Sequence, residues 1–134
     1  ANQTAGNDAF QTAGDRSVQT AGDNAVQTAG KHAVQTAGDD AVQTAGQYAN
    51  QTAGNDAVLM AGYRSDQKAG NHSSLICGNN SVQQGGEGST FTTRWRDFND
   101  RQYKVAVAVV GKDGDLKPDT PYRCVNGVWK AISD

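Results

Sequence analysis

The chain has 134 residues, which is enough for one domain and too few for two ordinary ones, and its formal net charge is −2. It carries neither a basic nucleic-acid footprint nor a polybasic membrane patch, and no apolar run reaches the length of a membrane span. Leu, Ile, Val and Phe supply only 20 of the 134 residues, which is little for a conventional hydrophobic core. Because disorder also tends to need a high net charge, this composition favours a thin core filled by small side chains.

Glycine recurs at every eighth residue over most of the chain. A typical unit, residues 22–29, reads Gly-Asp-Asn-Ala-Val-Gln-Thr-Ala, and we number its positions from the glycine. Glycine followed by two polar residues is typical of a turn, in which we expect the glycine to supply an unusual φ, and the next five residues form a strand candidate. The glycines in this register are Gly6, Gly14, Gly22, Gly30, Gly38, Gly46, Gly54, Gly62, Gly70, Gly78 and Gly86.

The variation between units indicates which side chains face inward. Position four is only Ala or Ser, and position six is Gln except at Leu59 and Leu75. Position five, by contrast, accepts Asp66, and position seven accepts Lys68, as expected where side chains meet solvent. We therefore predict that positions four, six and eight line the interior, where Gln amides bond in ladders, and that positions five and seven point outward.

Two octapeptides are needed to close one coil, because one is too short. Leu59 and Leu75 lie 16 residues apart, as expected for equivalent positions in successive coils. The sequence thus predicts an all-β fold, a parallel β-solenoid of about five 16-residue coils, over residues 1–86. A small β-rich cap is predicted over residues 87–134.

The two halves of each coil present different outer faces. The first face is flatter and more apolar and is the leading candidate for a functional or interface surface. It consists of Phe10, Val26, Val42, Val58, Thr12, Thr28 and Thr44. The second face, which charge interrupts toward its C-terminal end, consists of Thr4, Thr20, Thr36, Thr52, Val18 and Val34. Since no nucleophile–base pair or phosphate-binding loop accompanies these rows, we predict that the chain is not an enzyme and takes no cofactor.

The repeat ends after Gly86, and ordinary globular composition follows. The apolar run 105–110 is predicted to be a buried strand, and residues 124–129, with Asn126 and Gly127, a hairpin with a type I′ turn. Such a cap would cover the unpaired strand edges of the last coil. No equivalent cap precedes the first unit, so we expect either a longer array or a covering molecule at the N-terminal end.

The octapeptides and the tail together resemble bacterial ice nucleation proteins at their C-terminal end. Residues 61–76, Ala-Gly-Tyr-Arg-Ser-Asp-Gln-Lys-Ala-Gly-Asn-His-Ser-Ser-Leu-Ile, follow the family repeat Ala-Gly-Tyr-Gly-Ser-Thr-Gln-Thr-Ala-Gly-x-x-Ser-x-Leu-Thr. The tail segments 94–97, 101–103 and 109–114, with Pro121-Tyr122, are similar to the family's cap. The resemblance covers nearly the whole chain and implies that outward Thr-x-Thr rows order water into an ice-like array, with large assemblies needed for potent nucleation.

The chain departs from the family pattern on its outer faces. Val replaces the first Thr in most units, as in Val26 beside Thr28, so half of the anchoring hydroxyl groups are missing. The family's stacked Tyr row is reduced to Tyr48 and Tyr63 in the turns. The resemblance therefore implies ice or ordered water as the partner, weak nucleation by this chain alone, and homo-oligomers formed through a solenoid face or the uncapped N-terminal end.

Two other functions stay open at this point. Val and Thr are good strand formers, so the rows also suit a structural or oligomerisation scaffold without ice activity. Short Gly/Ala/Ser strand units also occur in the heads of bacterial surface adhesins, usually without this strict Gln position. We expect a bacterial surface or extracellular location and leave a cytoplasmic one open.

Few residues suggest a metal or covalent site. His32 and His72 lie 40 residues apart in turns, so we expect no metal site from them. Asp113 and Asp115 lack the further ligands of a calcium loop and are expected in a plain turn. Cys77 and Cys124 fall in different regions; we expect idle thiols and leave their pairing open.

Overall fold

The chain folds into short β-strands. A computed structural model describes residues 2–97, 99–111, 116–125 and 127–132, and at Asn2 and Arg96 it describes the backbone only. Within these ranges no helix occurs. The strands are β1 Asn2–Thr4, β2 Phe10–Thr12, β3 Val18–Thr20, β4 Val26–Thr28, β5 Val34–Thr36, β6 Val42–Thr44, β7 Asn50–Thr52, β8 Val58–Met60, β9 Asp66–Lys68, β10 Ser74–Cys77, β11 Val82–Gln84, β12 Thr90–Asp97, β13 Gln102–Val109, β14 Tyr122–Val125 and β15 Val128–Ala131.

Successive repeats alternate between two parallel sheets. Strands β1, β3, β5, β7, β9 and β11 lie in sheet A, whereas β2, β4, β6, β8, β10 and β12 lie in sheet B. Partners within each sheet are 16 residues apart, as in Gln19 beside Gln35 and Gln27 beside Gln43. The predicted all-β, parallel β-solenoid of 16-residue coils is therefore confirmed. Its described strands complete six coils, because β12 continues the register of β10 after the repeat motif has ended.

The interior prediction holds for two of its three positions. Position four and position six are buried, as in Ala33 and Gln35, which are both 0% exposed. Position eight is half-buried in most coils, as at Ala37, and becomes buried at Ala69. The strands also span three residues rather than five, because the chain turns at the next glycine and position eight lies at that corner.

The buried Gln side chains form the predicted ladders. In sheet A the Gln35 Nε2 donates to Oε1 of Gln19 at 2.9 Å, and Gln51 Nε2 donates to Gln35 Oε1 at the same distance. A second bond, which the sequence analysis did not anticipate, runs across the interior from Gln35 Nε2 to the Thr44 carbonyl of sheet B at 3.0 Å. Each such amide therefore stacks the coils and also holds the two sheets together. The ladders comprise Gln3, Gln19, Gln35, Gln51, Gln67 and Gln83 in sheet A and Gln11, Gln27 and Gln43 in sheet B.

The turn glycines are needed for space and not for their φ, contrary to the sequence prediction. The left-handed residue of the turn is at position three, as in Asp40 with φ of 57°. A Cβ at Gly38 would lie 2.0 Å from Oδ1 of Asp23 in the preceding coil. That same oxygen accepts the backbone N–H of Asp39 at 2.8 Å. An Asx side chain of the preceding coil occupies the position of a Cβ in the same way at Gly22, Gly30, Gly54, Gly70 and Gly86, whereas Gly46, Gly62 and Gly78 meet other atoms of the preceding coil and Gly6 and Gly14 meet none within 4 Å.

The apolar core is concentrated in the last coils and the cap. Leu59, Leu75 and Phe91, each 0% exposed, stack above one another in the column that Gln43 occupies one coil earlier. The cap adds apolar side chains around the Phe91 ring, whose centroid lies 5.8 Å from that of Trp129. The other members of this cluster are Ala57, Ala69, Ala108, Val110, Leu116 and Tyr122.

Strand β13 is an edge strand, and the prediction of a buried strand at 105–110 is wrong. It pairs antiparallel with β12 at the end of sheet B, so one of its faces has no second layer over it. Val105 is 65% exposed and Val107 is 59% exposed, whereas Ala108 and Val110 turn inward. Hydrophobicity suggested burial, but within β13 the small alanines occupy the inner positions and Val105, Val107 and Val109 the outer ones.

The distal part of this hairpin is held by charge. Lys104 Nζ lies 2.6 Å from Asp97 Oδ2 and 3.1 Å from Asp100 Oδ2, and it sits 5.7 Å from the Trp95 ring centroid. The bond from Lys104 lowers the pKa of the Asp97 carboxyl below its ordinary value. These contacts fix the hairpin end from which Tyr103 projects.

The second half of the cap covers sheet A. The predicted hairpin is present, with β14 antiparallel to β15, although Asn126 of its turn lies outside the described residues. Strand β14 also pairs antiparallel with β11, so β13 and β14 cover the last strands of the two sheets. This arrangement agrees with the predicted role of the tail as a cap, whereas the exact boundary at residues 86 and 87 stays a prediction.

Candidate functional site

The first candidate face is the outer surface of sheet B. Because every strand is in register, the position-seven residues Thr12, Thr28 and Thr44 form one row across successive coils. A parallel row at position five contains Val26, Val42 and Val58, and begins at Phe10, which is 84% exposed. Neighbouring rows are separated by about 6.6–6.8 Å along the strand and successive coils by about 4.7–4.9 Å.

The second candidate face is the outer surface of sheet A. Its threonine row is one member longer and consists of Thr4, Thr20, Thr36 and Thr52. Val18 and Val34 stand beside this row and are 40% and 37% exposed. Asp66 and Lys68 then occupy the next coil, so charge ends the row, as the sequence indicated.

An apolar strip lies at the C-terminal end of sheet B; the sequence places its Met60 and Ile76 on this outer face, but its valines on the cap hairpin were predicted to be buried. The threonine row continues through Met60 and Ile76, which are 36% and 40% exposed, and reaches Val107 on the cap hairpin through Thr92. Val105 and Val109 flank it and are also exposed. The strict alternation of Val with Ala over residues 105–109 was the signal that could have placed these valines outward.

The two corners of the solenoid differ in charge and chemistry. Turns that lead from sheet A to sheet B form what we call the acidic corner, which has no Lys or Arg and carries Asp8, Asp23, Asp39, Asp40, Asp56 and Glu87. Turns that lead from sheet B to sheet A form the aromatic corner, which carries one carboxylate, Asp15, and the cationic and ring-bearing residues Arg16, Lys31, His32, Tyr48, Tyr63 and Arg64. This difference in charge between the two corners is visible in the sequence when turns 16 residues apart are grouped together, because such turns lie at the same corner of successive coils.

Side chains of the aromatic corner stack on one another. The His32 and Tyr48 rings lie parallel, with centroids 4.9 Å apart and an interplanar angle of 3°. Tyr63 approaches Tyr48 edge-on at 5.4 Å, and a hydrogen bond with the Tyr48 side chain raises the pKa of the Tyr63 phenol. The reduced Tyr row noted in the sequence is thus part of an ordered aromatic stack.

The histidines and carboxylates do not converge. His32 lies in the aromatic stack, whereas His72 is in the acidic corner. In the part of the chain that the structure describes, no three His, Cys, Asp or Glu side chains are placed to hold a metal ion. Asp113 and Asp115 lie outside the described residues.

Both cysteines are free and buried. The Cys77 thiol donates to Gln67 Oε1 at 2.7 Å, beside the last rung of the sheet A ladder. Burial raises the pKa of Cys77 to about 12, and burial also raises the pKa of Cys124. Raised pKa values keep both groups in the thiol form at neutral pH, in which they are poor nucleophiles.

The chain has no detected similarity to a known protein, so its fold and its surfaces are the basis for a functional proposal. No protein-family model, no curated protein and no solved structure matches the chain. A helix long and apolar enough to cross a bilayer is not found among residues 2–97, 99–111, 116–125 and 127–132. The resemblance to ice nucleation proteins therefore stays an expectation drawn from the repeat and tail motifs.

Proposed function

We propose that this β-solenoid organises water or binds ice through the outer surface of sheet B. The observation that supports the proposal most strongly is the in-register pair of outward rows, Thr12–Thr28–Thr44 and Val26–Val42–Val58. The row spacings of about 6.6–6.8 Å and about 4.7–4.9 Å lie near repeat distances in ice. A surface with this regularity can anchor water in an ordered layer.

The interior makes such a surface rigid. From Gln19 onward each buried Gln side chain donates to the Gln of the preceding coil in its sheet and to a carbonyl of the opposite sheet, as Gln43 does, so the rows cannot slide relative to one another without breaking buried hydrogen bonds. Val has the shape of Thr without its hydroxyl, so the valine row supplies an apolar ridge beside the threonine anchors. The proposed activity is binding and weak ordering by one chain, with stronger nucleation requiring self-assembly. No catalytic step or cofactor is part of the proposal.

Self-assembly is supported by the apolar strip at the end of the same sheet. Val105, Val107 and Val109 lie on the outer face of the edge strand β13, and all are about half exposed or more. Exposed apolar patches on soluble chains commonly mark interaction sites. Association through this strip would join two copies near the C-terminal ends of their sheet B surfaces and leave the Thr and Val rows of the earlier coils free.

The test compares ice shaping and thermal hysteresis in two matched triple variants. The first, T12K/T28K/T44K, places three charges on sheet B, and the second, T4K/T20K/T36K, places the same charges on sheet A. We expect faceted crystals and a freezing gap for the unmodified chain and the sheet A variant, and round crystals for the sheet B variant. Circular dichroism checks that both variants keep the fold, as expected since all six positions point outward.

Several outcomes would overturn the assignment. Round crystals and no freezing gap for the unmodified chain would show that the single chain does not bind ice. Loss of ice shaping in the sheet A variant alone would show that the binding surface is on sheet A. A scaffold without ice activity is the second candidate, and the apolar strip favours it. Concentration-dependent association that V107K abolishes, together with unaffected ice crystals, would establish that second candidate.

A further inference from the structure

A groove runs along the C-terminal end of the aromatic corner. Two adjoining cavities, of about 460 Å³ and about 340 Å³, share Tyr63, Asn79 and Tyr103 in their walls, so they form one continuous depression. Both sizes fall in or near the range of small-molecule sites. The remaining polar, cationic and ring-bearing lining residues are Gln47, Tyr48, Arg64, Asn80 and Arg94.

The aromatic rings of the groove come from two different parts of the fold. Tyr48 and Tyr63 belong to successive coils, and their rings are pre-ordered by the stack that begins at His32. Tyr103 arrives from the cap hairpin and is 55% exposed. Its ring carries the Arg94 guanidinium at 5.6 Å from the centroid. The three phenol rings therefore offer broad apolar surfaces at one corner. Neither the Gln ladders nor the apolar core requires three tyrosines to lie together there.

The charged residues in the walls of these two cavities are cationic, whereas Asp66 lines a neighbouring depression together with Arg64 and Asn80. Arg64 and Arg94 lie in the walls of the groove, and no Asp or Glu lines either cavity. Most carboxylates of the repeat turns lie at the opposite, acidic corner, and Asp15 lies at the N-terminal end of the aromatic corner. Asn79, Asn80 and Gln47 add side-chain amides that can both donate and accept hydrogen bonds.

We propose that this groove binds an acidic saccharide chain. The apolar C–H face of a pyranose ring packs on an aromatic ring face, and Tyr63 and Tyr103 provide such faces. Carboxylates of uronic acid units pair with the planar guanidinium groups of Arg64 and Arg94. The hydroxyl groups meet the amides of Asn79 and Asn80. An open groove also suits a polymer better than a compact ligand, because the chain can continue past both ends.

A nucleic acid fits these observations less well. The phosphate backbone requires many distributed cations, whereas this chain has a net charge of −2 and a carboxylate-rich corner. The amides and phenols beside the two arginines match a chain that carries several hydroxyl groups for each carboxylate, as a uronic acid polymer does.

The experiment titrates the full chain with tetragalacturonate and with neutral maltotetraose by isothermal titration calorimetry. We expect tetragalacturonate to bind and maltotetraose to bind at least about tenfold more weakly. Y103A and R94Q should each weaken tetragalacturonate binding by about tenfold, as expected for losing one aromatic or one charged contact. The matched controls F10A and R16Q remove the same kinds of group far from the groove and should leave binding unchanged.

R64Q protects the test against a folding defect in the cap. Arg64 lies in a repeat turn and not in the hairpin, so its loss should weaken binding even if Y103A or R94Q disturbs β13. Equal affinity for the neutral and acidic sugars would overturn the proposal. So would the absence of binding, tight binding of a single-stranded oligonucleotide with the same residue dependence, or equal losses in the controls.

Discussion

The early coils and the late coils share one backbone but differ in what fills it. In the sheet B column, Gln11, Gln27 and Gln43 occupy the first three coils, and Leu59, Leu75 and Phe91 occupy the last three. The 16-residue register passes from one half to the other without a break. The comparison teaches that the coil is specified by its turns and by small residues at position four, and that the column accepts either bonded amides or apolar side chains of suitable volume.

The boundary between these halves has a visible cost. Gln43 Oε1 is buried without a hydrogen-bond partner, because Leu59 in the next coil has no amide to donate. Gln83 Oε1 is in the same state at the end of the sheet A ladder. Each ladder therefore ends in one unsatisfied acceptor, and a buried acceptor of this kind costs about 1–3 kcal/mol. Fewer and longer ladders are thus preferable to many short ones.

The largest predicted effect breaks the late half. Leu75→Ala removes a fully buried side chain between Leu59 and Phe91 and should lower the free energy of unfolding by about 2–5 kcal/mol. Val34→Ala, on the outer face and 37% exposed, should cost less than about 1 kcal/mol. Urea unfolding measures both. Similar losses in the two variants would mean that the apolar column does not anchor the fold.

The second effect breaks the early half within a ladder. Gln35→Leu leaves Gln19 Oε1 without its donor and Gln51 Nε2 without one acceptor, so we expect a loss of about 2–4 kcal/mol.

Gln43→Leu is the matched control for that variant. The substitution removes Gln43 Oε1, which already has no hydrogen-bond partner, and leaves Gln27 Oε1 without its donor. The number of buried acceptors without a partner therefore does not change. We expect a change within about 1 kcal/mol in the same unfolding assay. Equal destabilisation by the two substitutions would contradict the ladder account.

A smaller effect sharpens the role of the turns, which both halves share. Gly38→Ala forces the Asp23 side chain away from the Asp39 N–H and should cost about 1–2 kcal/mol. Gly14→Ala is the control, because nothing lies within 4 Å of a Cβ added there. Thermal unfolding compares the two proteins. A loss at Gly14 equal to that at Gly38 would show that glycine is needed for its backbone and not for space.

The smallest effect probes the end of the sheet A ladder by pH. The pKa of Cys77 rises from 9.0 to about 12 on folding, so the folded state keeps its proton where the unfolded chain has lost it. The contribution of the Cys77 thiol to the free energy of unfolding is therefore complete below pH 9 and declines between pH 9 and about 12. At pH 10 the decline should be roughly 1 kcal/mol. The Cys77→Ala variant should lose less stability than the unmodified chain between pH 9 and 12, because it has no thiol to ionise there. Equal losses of stability in the two proteins over this pH range would refute the prediction.

Much of the fold followed from the sequence, and the exceptions have physical causes. The spacing of Leu59 and Leu75 gave the coil length, and the tolerance of position five for Asp66 identified the outer face. Phe91 lies 16 residues after Leu75 and could have revealed the sixth coil, but the glycine pattern had already ended. The exposed valines of β13 were predicted to be buried because the segment is apolar throughout. The alternation of Val with Ala, which indicates one inner and one outer face, was not used.

The candidate surfaces were less accessible to sequence reasoning. The outward Thr and Val rows could be located from the repeat, because strand alternation fixes their side. The groove beside the aromatic corner could not, since Tyr63 and Tyr103 are 40 residues apart and are brought together only by the antiparallel return of the cap hairpin. What a regular surface binds also depends on partner geometry, which the repeat itself does not encode.

The most direct test of the central claim, that glutamines face inward while Val and Thr face outward, is hydrogen exchange at the Gln side chains. The account predicts that the Nε2 protons of Gln35 and Gln51 exchange as slowly as the backbone amides of their own coils, because both are held in the interior. Exchange of these side-chain protons at the rate of exposed amides in the folded protein would contradict it.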